Sequence, residues 1–132
     1  MQQIAKETNF SETTFVLTDV MRDGGFDARI FTPGEEVDFA GHPTLGTAFL
    51  IREHMMKGAV DRIVLNLKVG QIPVDFPDGS HGVLWMHQKE PTFGKGVPAE
   101  GIAEALGLKI EDIDDRFPVQ KVSTGSRSSS FP

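Results

Sequence analysis

Residues 62–76, RIVLNLKVGQIPVDF, constrain the fold of this chain more than any other segment. They are rich in β-branched residues, which favour an extended backbone, and a glycine interrupts them at position 70. The pattern predicts two strands that meet at Gly70. A chain with this segment near its middle is therefore expected to build an antiparallel sheet.

Several other segments carry the same signature of strands separated by turns. Residues 26–31, FDARIF, alternate between two sets of side chains, as expected of a strand with two different faces. The preceding Asp23-Gly24-Gly25 is a strong hairpin-turn signal, and Asp78-Gly79 marks another turn. Further strands are predicted over residues 12–17, 35–40, 82–91 and 117–125.

The longest helical pattern spans residues 43–57, directly after a Gly-His pair. Pro43 suits the first turn of such a helix, and Gly58 suits the position that follows its last turn. Apolar side chains recur at helical spacing on one face, and charged side chains occupy the other. The apolar face is predicted to hold Leu45, Ala48, Phe49 and Met56, and the polar face Arg52, Glu53 and Lys57.

Two shorter helices complete the pattern. One is predicted over residues 1–9 and ends at Asn9, a residue that tolerates the left-handed conformation of a helix cap. The other is predicted over residues 98–107, between Pro98 and Gly107. No repeat or linker is visible, so the sequence predicts an α+β fold with an antiparallel sheet and one well-marked inner helix.

The composition argues against several classes of function. The chain has 132 residues, enough for about one domain, and no cysteine, so neither a thiol nucleophile nor a thiolate metal site is available. A net charge of −6 without a run of Lys or Arg argues against a nucleic-acid partner or an anionic membrane surface. The polar start lacks a signal-peptide pattern, so the expected localisation is cytoplasmic.

His42 is the first candidate for chemistry. It lies at or just before the first turn of the predicted inner helix, where unpaired N–H groups and the positive end of the helix dipole point outward. Such a helix end can hold a carboxylate, and an imidazole beside it can relay a proton near neutral pH. Considered alone, His42 is more simply a helix flank without a role.

Glu12 is the second candidate. In NFSETTF it follows Ser11 between a helix end and a strand start, half covered by Phe10 and Phe15. A carboxylate in such surroundings can serve as a general acid/base. The simpler alternative is a solvated turn glutamate or a capping partner.

The other histidines and the aromatic residues are assigned structural roles. His81 and His87 lie six residues apart on a predicted hairpin and can share a face, but no third ligand accompanies them, so no metal site is predicted. His54 is assigned to the inner helix. Trp85 and the ten phenylalanines are predicted to be core.

Three segments, in order, resemble one known family. They are MQQIAKETNFSETTFVL at 1–17, ARIFTPGEEVDFAGHPTLGTAFLI at 28–51 and PVQKVSTG at 118–125. The pairing of N-x-S-E-T with F-T-P-x-x-E-x-x-F-A-G-H-P is specific, and it resembles the PhzF-like family of phenazine biosynthesis. The resemblance implies a diaminopimelate epimerase-like fold of two similar lobes, each a curved antiparallel sheet wrapped around a central helix. Residues 43–57 would be the central helix of the first lobe.

The resemblance also implies roles for the two candidates. Glu12 matches the family's proton-shuttling acid/base, and Gly41 and His42 match the G-H-P motif, which binds substrate at the mouth between the lobes. Ser11 lies beside the acid/base and is expected to contact substrate. The implied activity is that of a cofactor-independent isomerase or epimerase, without a metal, that moves a proton on a small anionic metabolite.

The chain also departs from the family pattern. An initial strand with a D-A-F…G-N-P-x-A-V segment is absent, as is the second lobe with its D-x-A-T-G-S motif. Residues 1–125 are therefore expected to be a first lobe without its first strands, and residues 126–132 an irregular tail. A single deleted nucleotide near Gly125 is a hypothesis for the tail, because restoring it converts GSRSSSFP into GLPFIIVP, a buried-strand sequence.

Three hypotheses of function follow from these features. The first is a PhzF-type isomerase lobe that uses Glu12, Gly41 and His42. The second is a catalytically inactive truncated lobe that acts by self-association or partner binding, with a homodimer expected because missing strands would expose apolar surface. The third is a binding module that holds a small carboxylate at the helix end alone.

Overall fold

The computed structural model describes residues 1–78 and 82–124, which form two compact units, residues 1–89 and 90–124. Within that part of the chain, no helix is long and apolar enough to cross a membrane. The first unit contains α1 (Gln2–Thr8), β1 (Thr13–Val16), β2 (Phe26–Phe31), β3 (Glu36–Val37), α2 (Gly41–Leu50), β4 (Arg62–Leu67), β5 (Gly70–Asp75) and β6 (Trp85–Met86). The second contains β7 (Thr92–Gly96), α3 (Ala99–Leu106) and β8 (Gln120–Ser123).

A six-stranded sheet forms the first unit, and β2 organises it. β2 pairs with β1 along one edge and with both β3 and β4 along the other. The hairpin of β4 and β5 runs from Arg62↔Asp75 to Leu67↔Gly70, which confirms the two strands predicted around Gly70. One pair, β2 with β4, is parallel rather than antiparallel because the chain crosses between these strands through α2.

The turn between β1 and β2 confirms the hairpin signal. Asp23 and Gly24 both have positive φ, 49° and 82°, as tight hairpin turns of this kind require. Asn66 on β4 fastens this turn to the sheet, because its Nδ2 donates to the carbonyl oxygen of Arg22 at 2.8 Å. Gly25 is buried against the same asparagine.

Helix α2 begins two residues earlier than the sequence pattern predicts and ends in a π-helical turn over Ile51–Met55. The assignment of Arg52 to a polar face is wrong, since Arg52 is only 5% exposed. Its Nε donates to the carbonyl oxygen of Val60 at 2.7 Å, and its guanidinium lies 5.1 Å from the centre of the Phe76 ring. The buried face of the helix comprises Thr44, Thr47, Ala48, Ile51 and Arg52.

The core of the first unit lies between α2 and the sheet. Burial of its apolar side chains supplies the main stabilisation of the unit. The expectation that Trp85 is core is wrong: β6 lies at an end of the sheet and turns this ring outward, so it is 63% exposed. Phe10, Phe93 and Phe117 are also exposed. The buried apolar cluster comprises Phe26, Ala28, Ile30, Phe39, Ala48, Ile51, Ile63, Leu65, Leu67, Ile72, Val74 and Phe76.

Strand β6 is short and is held to β5 by a charged cluster. The Nε2 of His87 lies 2.6 Å from Asp75 Oδ2, and the His87 N–H donates to the carbonyl oxygen of Pro73 at 2.9 Å. Hydrogen bonds from Arg62, and then from His87, lower the pKa of Asp75 to about 2. His87 is thus a structural partner. His81, Gly79 of the predicted Asp78-Gly79 turn and the tail from residue 125 fall outside the described residues.

The second unit pairs β7 with β8 antiparallel, from Thr92↔Ser123 to Gly96↔Gln120, and adds α3. The helix predicted over residues 98–107 is confirmed, because Pro98 precedes it and Gly107 ends it at a φ of 69°. Ala103 is its buried residue.

Two glycine substitutions test the packing of the first unit. We expect Gly25→Ala to destabilise it by about 1–3 kcal/mol, because the added Cβ would lie 2.6 Å from Asn66 Oδ1 and 2.9 Å from the backbone oxygen of Val64. Gly46→Ala should instead stabilise it by about 1 kcal/mol, since Gly46 lies within α2 and nothing lies within 4 Å of its added Cβ. Urea midpoints measure both changes, and equal midpoints would contradict the packing described.

Candidate active site

The end of β2 brings two distant parts of the chain together. Phe31 pairs with Thr13 of β1 along one edge and with Glu36 of β3 along the other. Glu12 immediately precedes the first of these pairs, and the chain runs from β3 directly into α2. Glu12 and His42, thirty residues apart in sequence, lie within ion-pair distance of each other.

Helix α1 ends shortly before Glu12 and anchors the backbone that carries the Glu12 side chain. Asn9 ends the helix in the left-handed conformation, with φ 54°, and its N–H donates to the carbonyl oxygen of Ala5 at 3.1 Å, as predicted for the cap. Gln2 fastens the start of α1 to the end of β2, because its Nε2 donates to the carbonyl oxygen of Thr32 at 2.9 Å. The junction that carries Ser11 and Glu12 is thus anchored from the helix side.

The other side of the site is the start of α2. Asp38, just before it, is anchored to the β4–β5 turn, where its carbonyl oxygen accepts the Val69 N–H at 3.2 Å. Ala40 precedes the helix in extended conformation, and no side chain caps the first turn. Pro43 has no N–H, and the N–H groups of Gly41 and His42 meet no acceptor within the described part of the chain. A helix start with open N–H groups attracts an anion.

Glu12 faces that helix start. Its Oε2 lies 3.3 Å from His42 Nε2, a distance that allows an ion pair when the ring is protonated. The ring does not meet this oxygen with hydrogen-bond geometry, so Oε2 is buried without a hydrogen-bond partner among the described residues. The Glu12 side chain is 22% exposed and the His42 side chain 79%, so the pair joins a sheltered carboxylate to an open ring.

An orphaned carboxylate oxygen is costly to a fold and is characteristic of a functional group. The carboxylate of Glu36 is satisfied by contrast, because it accepts two hydrogen bonds from Arg29, at 2.8 and 2.6 Å. Glu12 is therefore free to give or take a proton, while the exposed imidazole and the helix N–H groups can hold a negative charge beside it.

Gly41 is not required by the backbone. It begins α2 with ordinary helical geometry, and a Cβ placed on it would meet only the Met86 Cε, at 3.9 Å, an ordinary contact distance. Ser11 is exposed beside Glu12, and its hydroxyl makes no hydrogen bond to the described residues. The sequence had not indicated Met86 as a neighbour of this site, because strand pairing alone brings β6 here.

His54 and His87 do not join this site. His54 is exposed on the π-helical turn, and His87 lies with Asp75. In the part of the chain that the structure describes, no group of three or more His, Asp or Glu side chains is placed to hold a metal ion.

Comparison with known proteins places the chain beside one group of enzymes. The sequence profile described as phenazine biosynthesis-like protein, PhzC-PhzF, matches residues 1–129. A trans-2,3-dihydro-3-hydroxyanthranilate isomerase of Pseudomonas aeruginosa is 41% identical over 130 residues, which cover 96% of this chain and 44% of that protein. The chain thus spans less than half the length of this curated relative.

Solved structures give the same result for the fold. A PhzF-family phenazine biosynthesis protein of Bacillus anthracis superposes with a TM-score of 0.72 at 33% identity, over 95% of this chain and 42% of the other. A predicted epimerase of Pseudomonas aeruginosa superposes with a TM-score of 0.72 at 30% identity, over 94% and 45%. These neighbours confirm the predicted α+β, epimerase-like fold.

Removing the charge of Glu12 should not cost stability. We expect Glu12→Gln to leave the free energy of unfolding unchanged or to raise it by up to about 1 kcal/mol, because a buried oxygen without a partner opposes folding. The matched control is Glu36→Gln, at an equally exposed side chain, which should lower the urea midpoint by weakening the Arg29 pair. A larger loss at Glu12 than at Glu36 would make Glu12 a structural carboxylate.

Proposed function

The chain belongs to the PhzC-PhzF family of phenazine biosynthesis-like proteins, and from that premise we propose that it provides the acid/base wall of an isomerase active site. Glu12 moves the proton, and Gly41 and His42 hold a small anionic metabolite. The observation that carries this proposal is the buried Glu12 oxygen without a partner, 3.3 Å from His42.

The chemistry follows from the two sides of the site. The Glu12 carboxylate takes a proton from a carbon of the bound metabolite and becomes a neutral acid, while the electron pair of the C–H bond shifts into the adjacent unsaturated system. The same acid then returns the proton to another carbon, so that the product is an isomer. Negative charge on the metabolite is held by the open N–H groups of Gly41 and His42 and by the exposed imidazole.

Proton exchange in deuterated water tests this function. The probe is trans-2,3-dihydro-3-hydroxyanthranilate, the compound that names the Pseudomonas aeruginosa relative. We expect this chain to incorporate deuterium at carbon, observed by proton NMR, and Glu12→Gln to slow incorporation by at least about 100-fold. Glu36→Gln, at an equally exposed side chain that is bound by Arg29 rather than placed beside His42, should retain the rate. No incorporation by the unmodified chain, or equal rates in both variants, excludes Glu12 catalysis with this probe.

A second candidate function, self-association without catalysis, is favoured by a separate observation. An apolar groove of about 420 Å³ lies between α2 and the residues before β6, lined among the described residues by Leu45, Gly46, Phe49, Val83 and Leu84. Val83, which lines the groove, is 67% exposed, and Leu50, which follows Phe49 in α2, is 55% exposed. Two copies related by a two-fold axis can each insert these side chains into the groove of the other, so the proposed occupant is a second copy of this chain.

Light scattering coupled to gel filtration tests the pairing. We expect a dimer at concentrations of about 100 µM and at least a tenfold weaker dimer for Val83→Glu, because the charge must be desolvated in the groove. Met21→Glu is the matched control, since Met21 is 58% exposed and lies outside the groove. A monomer at that concentration, or equal weakening by both substitutions, contradicts self-association through this surface.

A further inference from the structure

Nothing in the local structure requires a glycine at position 41. Its backbone is helical, and the space where a Cβ would lie is open up to the Met86 Cε at 3.9 Å. A residue that could carry a side chain without strain, yet carries none, leaves room in front of the helix start. That room borders the open N–H groups on one side and the thioether methyl of Met86 on the other.

Met86 is held at that place by its strand. It pairs with Val74, a fully buried residue of β5, so its side chain shares the inner face of the sheet with the core. Its neighbour Trp85 pairs with Asp75 and points to the outer face. The contact of His87 with Asp75 holds β6 to β5 at the residue that follows Met86. A two-residue strand is thereby fixed at the end that meets α2.

We propose that Met86 is a specificity-determining residue of this site, forming the apolar wall against which the body of the anionic metabolite packs. The inference rests on the proposed function, because it assumes that the anionic group lies at the start of α2. A carboxylate held by Gly41 and His42 directs the group attached to it toward the space bounded by Met86. A thioether side chain contacts a flat unsaturated or apolar group well and offers little to a polar one.

Titration with two carboxylates of different size distinguishes contacts with Met86 from binding of the anionic group at the start of α2. Acetate and benzoate are titrated separately, and binding is followed by the ring resonances of His42 in NMR spectra. We expect both to bind the unmodified chain. Met86→Ala should weaken benzoate by about five- to tenfold, because apolar contact area is lost, and change acetate less than twofold. Met86→Leu, which preserves apolar volume, should restore benzoate binding to within about twofold.

The matched control is Trp85→Ala, on the same strand but the opposite face, which should change neither affinity. Equal weakening of acetate and benzoate by Met86→Ala would assign Met86 to support of the fold and overturn the inference. Unchanged benzoate affinity would also overturn it and leave the proposed function standing. If neither anion shifts His42 in the unmodified chain, the anion site itself fails, and the proposed function fails with it.

Discussion

The pairing of Phe31 on both sides is the constraint on which the site depends. Its strand bonds to Thr13 along one edge and to Glu36 along the other, which fixes Glu12 and the start of β3 at the same end of β2. The three residues after β3 lead into α2, whose His42 Nε2 lies 3.3 Å from Glu12 Oε2. The carboxylate and the imidazole are therefore brought together by the backbone ladder of the sheet rather than by their own attraction, which at an exposed ring contributes little.

Three carboxylates of the first unit differ in how well they are hydrogen-bonded. Asp75 is bound by Arg62 and His87, and Glu36 by Arg29, so their charges are satisfied and support the fold. Glu12 has the same exposed fraction as Glu36 but leaves one buried oxygen without a hydrogen bond among the described residues. The two side chains therefore differ in hydrogen bonding and not in exposure, and Glu12 is the one with a buried oxygen that lacks a partner among the described residues.

One wall of a cleft can bind without being an efficient catalyst. Rate acceleration in proton transfer depends on donors and acceptors arranged in advance on both sides of the reacting carbon. The chain spans 44% of the length of its isomerase relative in Pseudomonas aeruginosa, and it places the Glu12 carboxylate beside the start of α2. Anion binding and proton exchange therefore test different properties. Binding needs only the groups on one side of the cleft, whereas efficient proton exchange needs groups on both sides of the reacting carbon.

Local features of the fold were predictable because their causes lie within a few neighbouring residues. The cap at Asn9, the turn at Asp23-Gly24 and the helix end at Gly107 each require a backbone conformation that these residue types favour. Glu12 and His42 were identified by comparison of motifs, and on local grounds each was as simply explained by a cap or a flank.

Other features followed from tertiary structure alone. The charge of Arg52 predicted an exposed side chain, yet contacts with the carbonyl of Val60 and the ring of Phe76 allow its burial. The residue type of Trp85 predicted a buried position, yet its strand lies at the end of the sheet and turns the ring outward. The strands and the turns follow from residue type and spacing, because each depends on a few neighbouring residues, whereas Glu12 and His42 were singled out by the resemblance of their motifs to a family. Which groups meet, and which remain without a partner, was decided by strand pairing between residues far apart in the chain.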